Sequence, residues 1–275
     1  MGGAERNARK KRQQAQTSGR SPAVAAARKS TDRKKLVVGV VVVVVVAAAV
    51  IGGVLIYNNQ KNATEGKNIE APGSSEQSDA TADFPVERDG GVVVVGSADA
   101  KVTLDVYEDF LCPACRQFEE TFGADIEKHV ADGTVRVRYH MLPMLNERSD
   151  PPGYSMDSAN AGLCAADAGK FPAFHRTLFS DQQPEEGSRG WDRQQLAELG
   201  TSLGITGDDF TACVTGGTHN DLVQKNFDEA KAAPYLQQEF PDGSKGFGTP
   251  TIASGEQVVD TGKADWLDRL IESAA

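Results

Sequence analysis

The fold of this chain is decided by residues 102–130, which read VTLDVYEDFLCPACRQFEETFGADIEKHV. Apolar and polar side chains alternate over 102–106, a pattern typical of a half-buried strand. Every fourth residue from Phe118 to Val130 is apolar, which predicts a helix with one apolar face. The motif Cys112-Pro113-Ala114-Cys115 therefore lies where a strand runs into a helix.

This position has chemical consequences for the cysteine pair. Pro113 suits the first helical position, which leaves Cys112 near the N-cap and Cys115 one turn inside. The free N–H groups and the dipole of a helix N-terminus stabilise an anion, so the pattern favours a Cys112 thiolate. Because a stable thiolate is a good leaving group, a Cys112–Cys115 disulfide at this place is expected to be oxidising.

Half of a zinc site is the alternative interpretation of the CxxC motif. Structural zinc needs about four ligands, and the sequence has no second CxxC and no HxxxH. We therefore predict no metal site, and no cofactor, because the glycines do not follow a dinucleotide or phosphate-binding spacing. The histidines are scattered, at positions 129, 140, 175 and 219.

The rest of the domain alternates strands and helices. A second strand is predicted over Val135–Tyr139, a long helical stretch over about 155–232, a hairpin over Thr251–Val259 and a last amphipathic helix over Trp266–Ile271. This order predicts the fold class as α/β, a thioredoxin-like fold with an inserted helical subdomain at about 150–235.

Four motifs together resemble those of the DsbA-type extracytoplasmic thiol oxidoreductases over about residues 90–275. The motifs are the strand end Tyr107–Phe110, the CPAC sequence, the stretch Lys170–His175 and the segment Gly248–Thr251. The resemblance implies that Pro250 is cis in a loop facing the cysteines and that Thr249 contacts the substrate backbone. It also implies a quinone-linked membrane oxidase, of the DsbB or vitamin-K-epoxide-reductase type, as the reoxidant.

Members of the wider family often carry a buried acid near the cysteines, which acts in proton transfer. Glu108 and Asp109 are the candidates here, although two exposed carboxylates at a strand end explain the pattern equally well. If one of them is buried, desolvation raises its pKa toward the range that proton transfer needs. His175 is not assigned to the site, because a histidine on a helix face is more often structural.

The two remaining cysteines, Cys164 and Cys213, fall in the helical insertion. Four cysteines permit three pairings, and a local Cys112–Cys115 pair leaves these two for each other. We predict a structural disulfide between them, which would persist outside the cytoplasm. A second redox relay is the alternative, but neither cysteine has a CxxC-like context.

The N-terminal part of the chain has a different composition. Residues 1–35 carry eleven Lys/Arg against Glu5 and Asp32, a net charge of +9, whereas the rest of the chain carries 18 against 37, a net charge of -19. Because nucleic-acid binding needs clustered positive charge, the acidic part of the chain after residue 35 is a poor candidate for it. Residues 1–35 are predicted to be a disordered cytoplasmic tail and residues 57–83 a flexible linker before the domain at 84–275.

Between the tail and the linker lies an apolar run of 21 residues, Leu36–Ile56, which contains no charged side chain. A helix of that length spans about 30 Å, the thickness of the hydrocarbon core, and we predict a single transmembrane helix. The basic residues before it place the N-terminus in the cytoplasm and the domain outside. A cleaved signal peptide is the alternative, but its apolar stretch is usually only about 7 to 15 residues long.

The sequence therefore predicts a membrane-anchored, extracytoplasmic thiol-disulfide oxidoreductase that donates the Cys112–Cys115 disulfide to exported proteins. One alternative is a reductase or isomerase on the same fold. A membrane-tethered binding or chaperone-like domain with an inert CxxC is another.

Overall fold

A six-stranded mixed sheet forms the centre of the domain, in the strand order β1-β2-β4-β3-β7-β8. The structure, a computed structural model, describes residues 53, 61–71, 85–240 and 243–274, and those from Gln60 onward belong to one compact unit. The sheet strands are β1 Val86–Asp89, β2 Val92–Val95, β3 Val102–Glu108, β4 Val135–Met141, β7 Thr251–Ser254 and β8 Gln257–Val258. Strands β3 and β4 are parallel, and the other neighbours are antiparallel. A separate two-stranded sheet pairs β5 Gln238–Glu239 with β6 Lys245–Gly246.

Helices connect these strands and fill the predicted insertion. The first two, α1 Pro113–Phe118 and α2 Ala124–Ala131, are separated by a π-helical segment, Glu119–Gly123. The predicted continuous helix over 118–130 is thus interrupted by one wide turn. The remaining helices are α3 Tyr154–Asp167, α4 Phe171–Leu178, α5 Arg193–Ser202, α6 Asp208–Gly216, α7 Asn220–Ala232 and α8 Trp266–Ser273; short 3₁₀ turns lie at Asn146–Arg148 and Pro234–Leu236.

Strand β3 lies in the middle of the sheet, between β4 and β7. It was expected to be half-buried, but every residue from Leu104 to Glu108 is buried. Its successive side chains face two separate apolar clusters, since Val106 belongs to the larger cluster and Tyr107 to the smaller one. The strand that leads into the cysteine motif is therefore fixed from both faces of the sheet.

The predicted thioredoxin-like architecture with a helical insertion is confirmed. Strand β3, helices α1 and α2 and the parallel strand β4 come first, whereas the hairpin β7–β8 and helix α8 come last. Helices α3 to α7 lie between them, and the Cys164–Cys213 disulfide ties α3 to α6 with Cα atoms 6.1 Å apart. An N-terminal hairpin, β1–β2, extends the sheet and was not predicted.

The segment 61–71 lies within the predicted flexible linker, yet it packs against the domain. Thr64 and Ile69 are buried there, 3% and 4% exposed, and Ile69 belongs to the larger apolar cluster. The prediction of a tether therefore does not describe these residues.

The predicted disordered tail and the predicted membrane span at 36–56, apart from Gly53, lie outside the described residues. Among the residues that the structure does describe, no helix has the length and apolar character needed to cross a bilayer.

Candidate active site

The two cysteines of the CPAC motif lie at the start of α1, as predicted. Cys112 is the N-cap residue and Pro113 begins the helix. Both sulfurs are free thiols; Cys112 is 6% exposed and Cys115 is fully buried. Cys112 is thus the more exposed of the two cysteines, and Cys115 is the inner one.

Their surroundings separate the acidities of the two thiols. The pKa of Cys112 is lowered to about 6, first by a hydrogen bond from the Cys115 side chain and then by Thr249 and the backbone amides of Ala114 and Cys115, against the opposing effect of burial. Burial raises the pKa of Cys115 well above its ordinary value, and its hydrogen bond to Cys112 adds to the rise. At neutral pH the pair therefore consists of an outer thiolate and an inner thiol.

Thr249 and Pro250 face this pair. Their peptide bond is cis, as the resemblance implies, and the Thr249 carbonyl oxygen lies 3.5 Å from the Cys112 sulfur. Strand β7 begins directly afterwards and pairs with β3, the strand that ends before the cysteines. The sheet register thus brings residues 137 positions apart in the chain to one edge of the site.

Asp109 braces the turn that precedes Cys112. It is buried, and its two carboxylate oxygens accept hydrogen bonds from the backbone amides of Leu111 (2.8 Å) and Leu145 (2.7 Å). Desolvation raises the pKa of Asp109 to about 7, although these hydrogen bonds oppose the rise. Because both oxygens are occupied by amides, Asp109 is better placed to hold the turn than to exchange protons.

Glu108 forms a cluster with the buried His175 and the partly buried Glu119. His175 Nε2 lies 3.0 Å from Glu108 Oε2, and His175 Nδ1 lies 4.0 Å from Glu119 Oε2. Glu108 is fully buried, and its Oε1 has no hydrogen-bond partner among the described residues. Glycine at position 123 leaves room for the cluster, since a Cβ there would lie 2.7 Å from Glu119 Oε2.

Aromatic rings pack around the His175 ring of this cluster. The ring of His175 lies 4.6 Å from that of Tyr139, 5.2 Å from that of Phe171 and 5.0 Å from that of Phe179. Burial accordingly raises the pKa of Glu108 well above its ordinary value and that of Glu119 to about 8, while it lowers the pKa of His175. Glu119 therefore retains a proton at neutral pH, and burial favours the protonated form of Glu108.

Two groups of side chains in the described part of the chain have the spacing of metal ligands. Glu108, Glu119 and His175 form one, and Cys164, Cys213 and His219 form the other. In the second group both sulfurs are held in the disulfide, so neither is a thiolate ligand. In the first, the hydrogen bond between His175 and Glu108 occupies ligand atoms. The expectation of no metal stays a prediction.

Sequence reasoning found part of this site. It named Glu108 and Asp109 but left exposed carboxylates as an equal alternative; the structure buries both. It missed Glu119, although four residues after Cys115 is one helical turn, which places both side chains on the same side. His175 was left out of the site, and the packing of α4 brings it there.

Known proteins resemble this chain in sequence and in structure. The family described as Thioredoxin matches residues 88–273. The chain belongs to the thioredoxin family. Among curated proteins, it is 33% identical over 214 residues to the serine/threonine-protein kinase PknE of Mycobacterium tuberculosis. That match includes 76% of this chain but 36% of the kinase, so the chain spans about a third of the length of the curated relatives it matches.

Several solved structures that resemble this chain are thiol-disulfide oxidoreductases. The oxidised DsbA of Mycobacterium tuberculosis is 30% identical, with a TM-score of 0.53 over 66% of this chain and 91% of that one. The disulfide oxidoreductase DsbG of the same organism is 29% identical with the same TM-score and coverage. MdbA, a thiol-disulfide oxidoreductase from Corynebacterium matruchotii, is 26% identical, with a TM-score of 0.55 over 71% and 99% of the two chains. The predicted resemblance to the DsbA-type thiol-disulfide oxidoreductases is confirmed.

Proposed function

We propose that the domain donates its Cys112–Cys115 disulfide to exported proteins during oxidative folding. The observation that carries the proposal is the N-cap position of Cys112, the more exposed of the two cysteines, with its pKa lowered to about 6. A dithiol whose reduced form contains a stabilised thiolate has an oxidising disulfide, because reduction then releases a stable group.

The proposed exchange begins with the oxidised pair. A substrate thiolate attacks the Cys112 sulfur, the Cys112–Cys115 bond breaks, and a mixed disulfide forms between the substrate and Cys112. The second substrate thiolate then attacks the substrate sulfur of that mixed disulfide, and Cys112 leaves as a thiolate. The substrate gains one disulfide, and the pair ends with two more electrons.

Cys115 needs a proton in the first of these steps. It leaves as a buried thiolate, and its raised pKa makes that form unfavourable. Glu108 interacts electrostatically with Cys115, and burial favours the protonated forms of Glu108 and Glu119. In our proposal Glu108 delivers this proton to Cys115, while Asp109 holds the turn and the loop of Thr249 and Pro250 receives the substrate backbone.

We also propose a location outside the cytoplasm, attachment to the membrane and a membrane oxidase as partner. The Cys164–Cys213 disulfide supports a compartment outside the cytoplasm, because such bonds persist in oxidising environments. The apolar run at 36–56 would anchor the chain, which would confine its encounters with a DsbB-like or vitamin-K-epoxide-reductase-like oxidase to the plane of the membrane. Reduced exported proteins would be the substrates.

The test is the equilibrium reduction potential of the Cys112–Cys115 pair, titrated against glutathione in the full chain. A disulfide donor should have a potential well above the roughly -220 to -260 mV of a reducing glutathione pool. A potential near the value of about -270 mV typical of thioredoxin would contradict the donor role and support a reductase instead.

A variant separates catalysis from binding. Cys112→Ser should abolish oxidative refolding of a reduced protein and the reduction of insulin. Cys164→Ser with Cys213→Ser is the matched control, because it removes the other two sulfurs and should retain both activities. Full activity of Cys112→Ser would identify a binding domain with an inert pair.

A further inference from the structure

Gln183 contacts the turn that carries Cys112. Its side-chain amide donates to the Phe110 carbonyl oxygen at 2.8 Å and to the Cys112 carbonyl oxygen at 3.1 Å. One side chain thus bridges Phe110 and Cys112, which lie in the four-residue turn 109–112 between β3 and α1. Asp109 holds the same turn through the Leu111 amide, so the turn is fixed by two side chains.

Gln183 lies in the α4–α5 loop, residues 179–192, which contains no helix or strand. Its neighbour Gln182 pairs with the backbone of Glu70, accepting from the Glu70 amide at 2.7 Å and donating to the Glu70 carbonyl oxygen at 2.8 Å. The Trp191 indole donates to the Gln182 carbonyl oxygen at 3.1 Å. Hydrogen bonds thus join Gln182, the neighbour of Gln183, to residues 61–71, the segment that we call the strap.

The strap is itself fixed to the domain. The Thr64 hydroxyl lies within hydrogen-bond distance of the Arg189 and Gly190 carbonyl oxygens, at 3.0 and 3.1 Å. The Gln195 amide donates to the carbonyl oxygens of Thr64 and Lys67. These contacts join the strap to the last part of the α4–α5 loop, at Arg189 and Gly190, and to the start of α5, at Gln195.

We infer that Gln183 is a positioning residue for the Cys112 turn and that the strap holds it in place. The inference deepens the proposed function, because it concerns the sulfur that exchanges disulfides. The Cys112 thiolate is stabilised partly by the amides of Ala114 and Cys115, and such bonds weaken quickly when donors move. A loosened turn would therefore leave the thiolate less stable.

The experiment measures the pH dependence of Cys112 alkylation by iodoacetamide in the reduced full-length protein. Gln183→Met keeps the length of the side chain and removes its donor without adding a charge. We expect the midpoint to shift to higher pH, with alkylation at pH 5 slowed about threefold, the change that half a pKa unit produces. Thr64→Val, which removes the strap hydroxyl, should shift the midpoint in the same direction by less.

Gln237→Met is the matched control, since the Gln237 amide also donates to two backbone carbonyls, those of Lys231 and Ala233, at the end of α7. It should leave the midpoint unchanged. A lower Tm for Gln183→Met with an unchanged midpoint would overturn the inference and leave a purely structural role. An unchanged midpoint for Thr64→Val would show that the strap does not help to position Gln183.

A second variant and a substrate-free assay keep the experiment interpretable. If Gln183→Met does not fold, Gln183→Asn replaces it, because the shorter amide keeps its polarity but cannot reach both carbonyls. Alkylation needs no substrate, so the test stands even if the wild-type protein fails to oxidise proteins. Failure of the proposed function and failure of this inference are therefore separate outcomes.

Discussion

At the scale of single residues, the ionisation of Cys112 connects the site to the stability of the protein. Its thiol pKa is about 6 in the folded protein, against about 8.5 in an unfolded chain. A group whose pKa is lowered by folding stabilises the native state above the unfolded value, and this stabilisation is lost as the pH falls through the folded value. The relevant window is therefore from about pH 8.5 down to about pH 6.

We predict that the reduced protein gains stability relative to the oxidised protein as the pH rises from 6 to 8. The oxidised form lacks the thiolate but keeps the acids, so the difference between the two forms isolates the cysteine pair. Urea unfolding of both forms at pH 6, 7 and 8 measures it. A difference that does not change over this range would contradict the lowered pKa.

Glu108 provides a second prediction at this scale. Burial raises its pKa, so its stabilising contribution is present below the unfolded value of about 4.3 and is lost as the pH rises through the folded value. Glu108→Gln should therefore be more stable than wild type at pH 8 and about equal to it at pH 4. It should also form the mixed disulfide more slowly, because its amide cannot donate the proton that Cys115 requires.

Urea unfolding at both pH values and stopped-flow reaction with a thiol peptide test the two parts. Glu127→Gln is the control, since the Glu127 carboxylate is partly exposed and pairs with Arg176. If the variant is more stable but reacts at the wild-type rate, Glu108 does not transfer the proton to Cys115.

At the scale of elements, the contact between α5 and α6 requires a glycine. A Cβ at Gly200 would lie 2.0 Å from Phe210 Cε1 and 2.3 Å from its Cζ, and the Phe210 ring is buried. Gly200→Ala should lower the free energy of unfolding by about 1–3 kcal/mol through overpacking. Gly216→Ala, where the nearest atom is 3.8 Å from the new Cβ, should stay within about 1 kcal/mol of wild type. Equal unfolding midpoints in urea would contradict this packing.

The disulfide between α3 and α6 supports a prediction about the insertion. The cysteines are 49 residues apart, and closing a loop of that length in the unfolded chain is worth about 4 kcal/mol in the chain-entropy relation. Cys164→Ser with Cys213→Ser should lower the Tm and leave the Cys112 alkylation midpoint at about pH 6. An unchanged Tm would contradict the structural role, and a shifted midpoint would show that the disulfide also affects the Cys112 turn.

At the scale of the whole molecule, the apolar run at 36–56 predicts attachment to a membrane. The full chain should stay in the membrane fraction after an alkaline carbonate wash. Val41→Lys with Ala48→Lys should release it, because each lysine costs about 2.5–3.5 kcal/mol in the middle of a span. A shorter, soluble form of the wild-type chain would instead indicate a cleaved signal peptide.

The sequence by itself determined the local features of this protein. The strand before CPAC, the N-cap position of Cys112 and the final hairpin follow from periodicity and turn chemistry, which act over a few residues. The likeness to DsbA-type proteins also rested on short motifs. The pairing of Cys164 with Cys213 followed from counting cysteines, because only two remained.

Only the tertiary structure decided what depends on contacts between distant residues. Glu108 and Asp109 could have been exposed, and the packing of β3 within the sheet buries both. His175 joins Glu108 across 67 residues, Gln183 reaches Cys112 across 71, and Thr64 reaches Arg189 across 125. The physical reason is that burial and hydrogen bonding depend on which elements pack together, and that is settled only once the chain has folded.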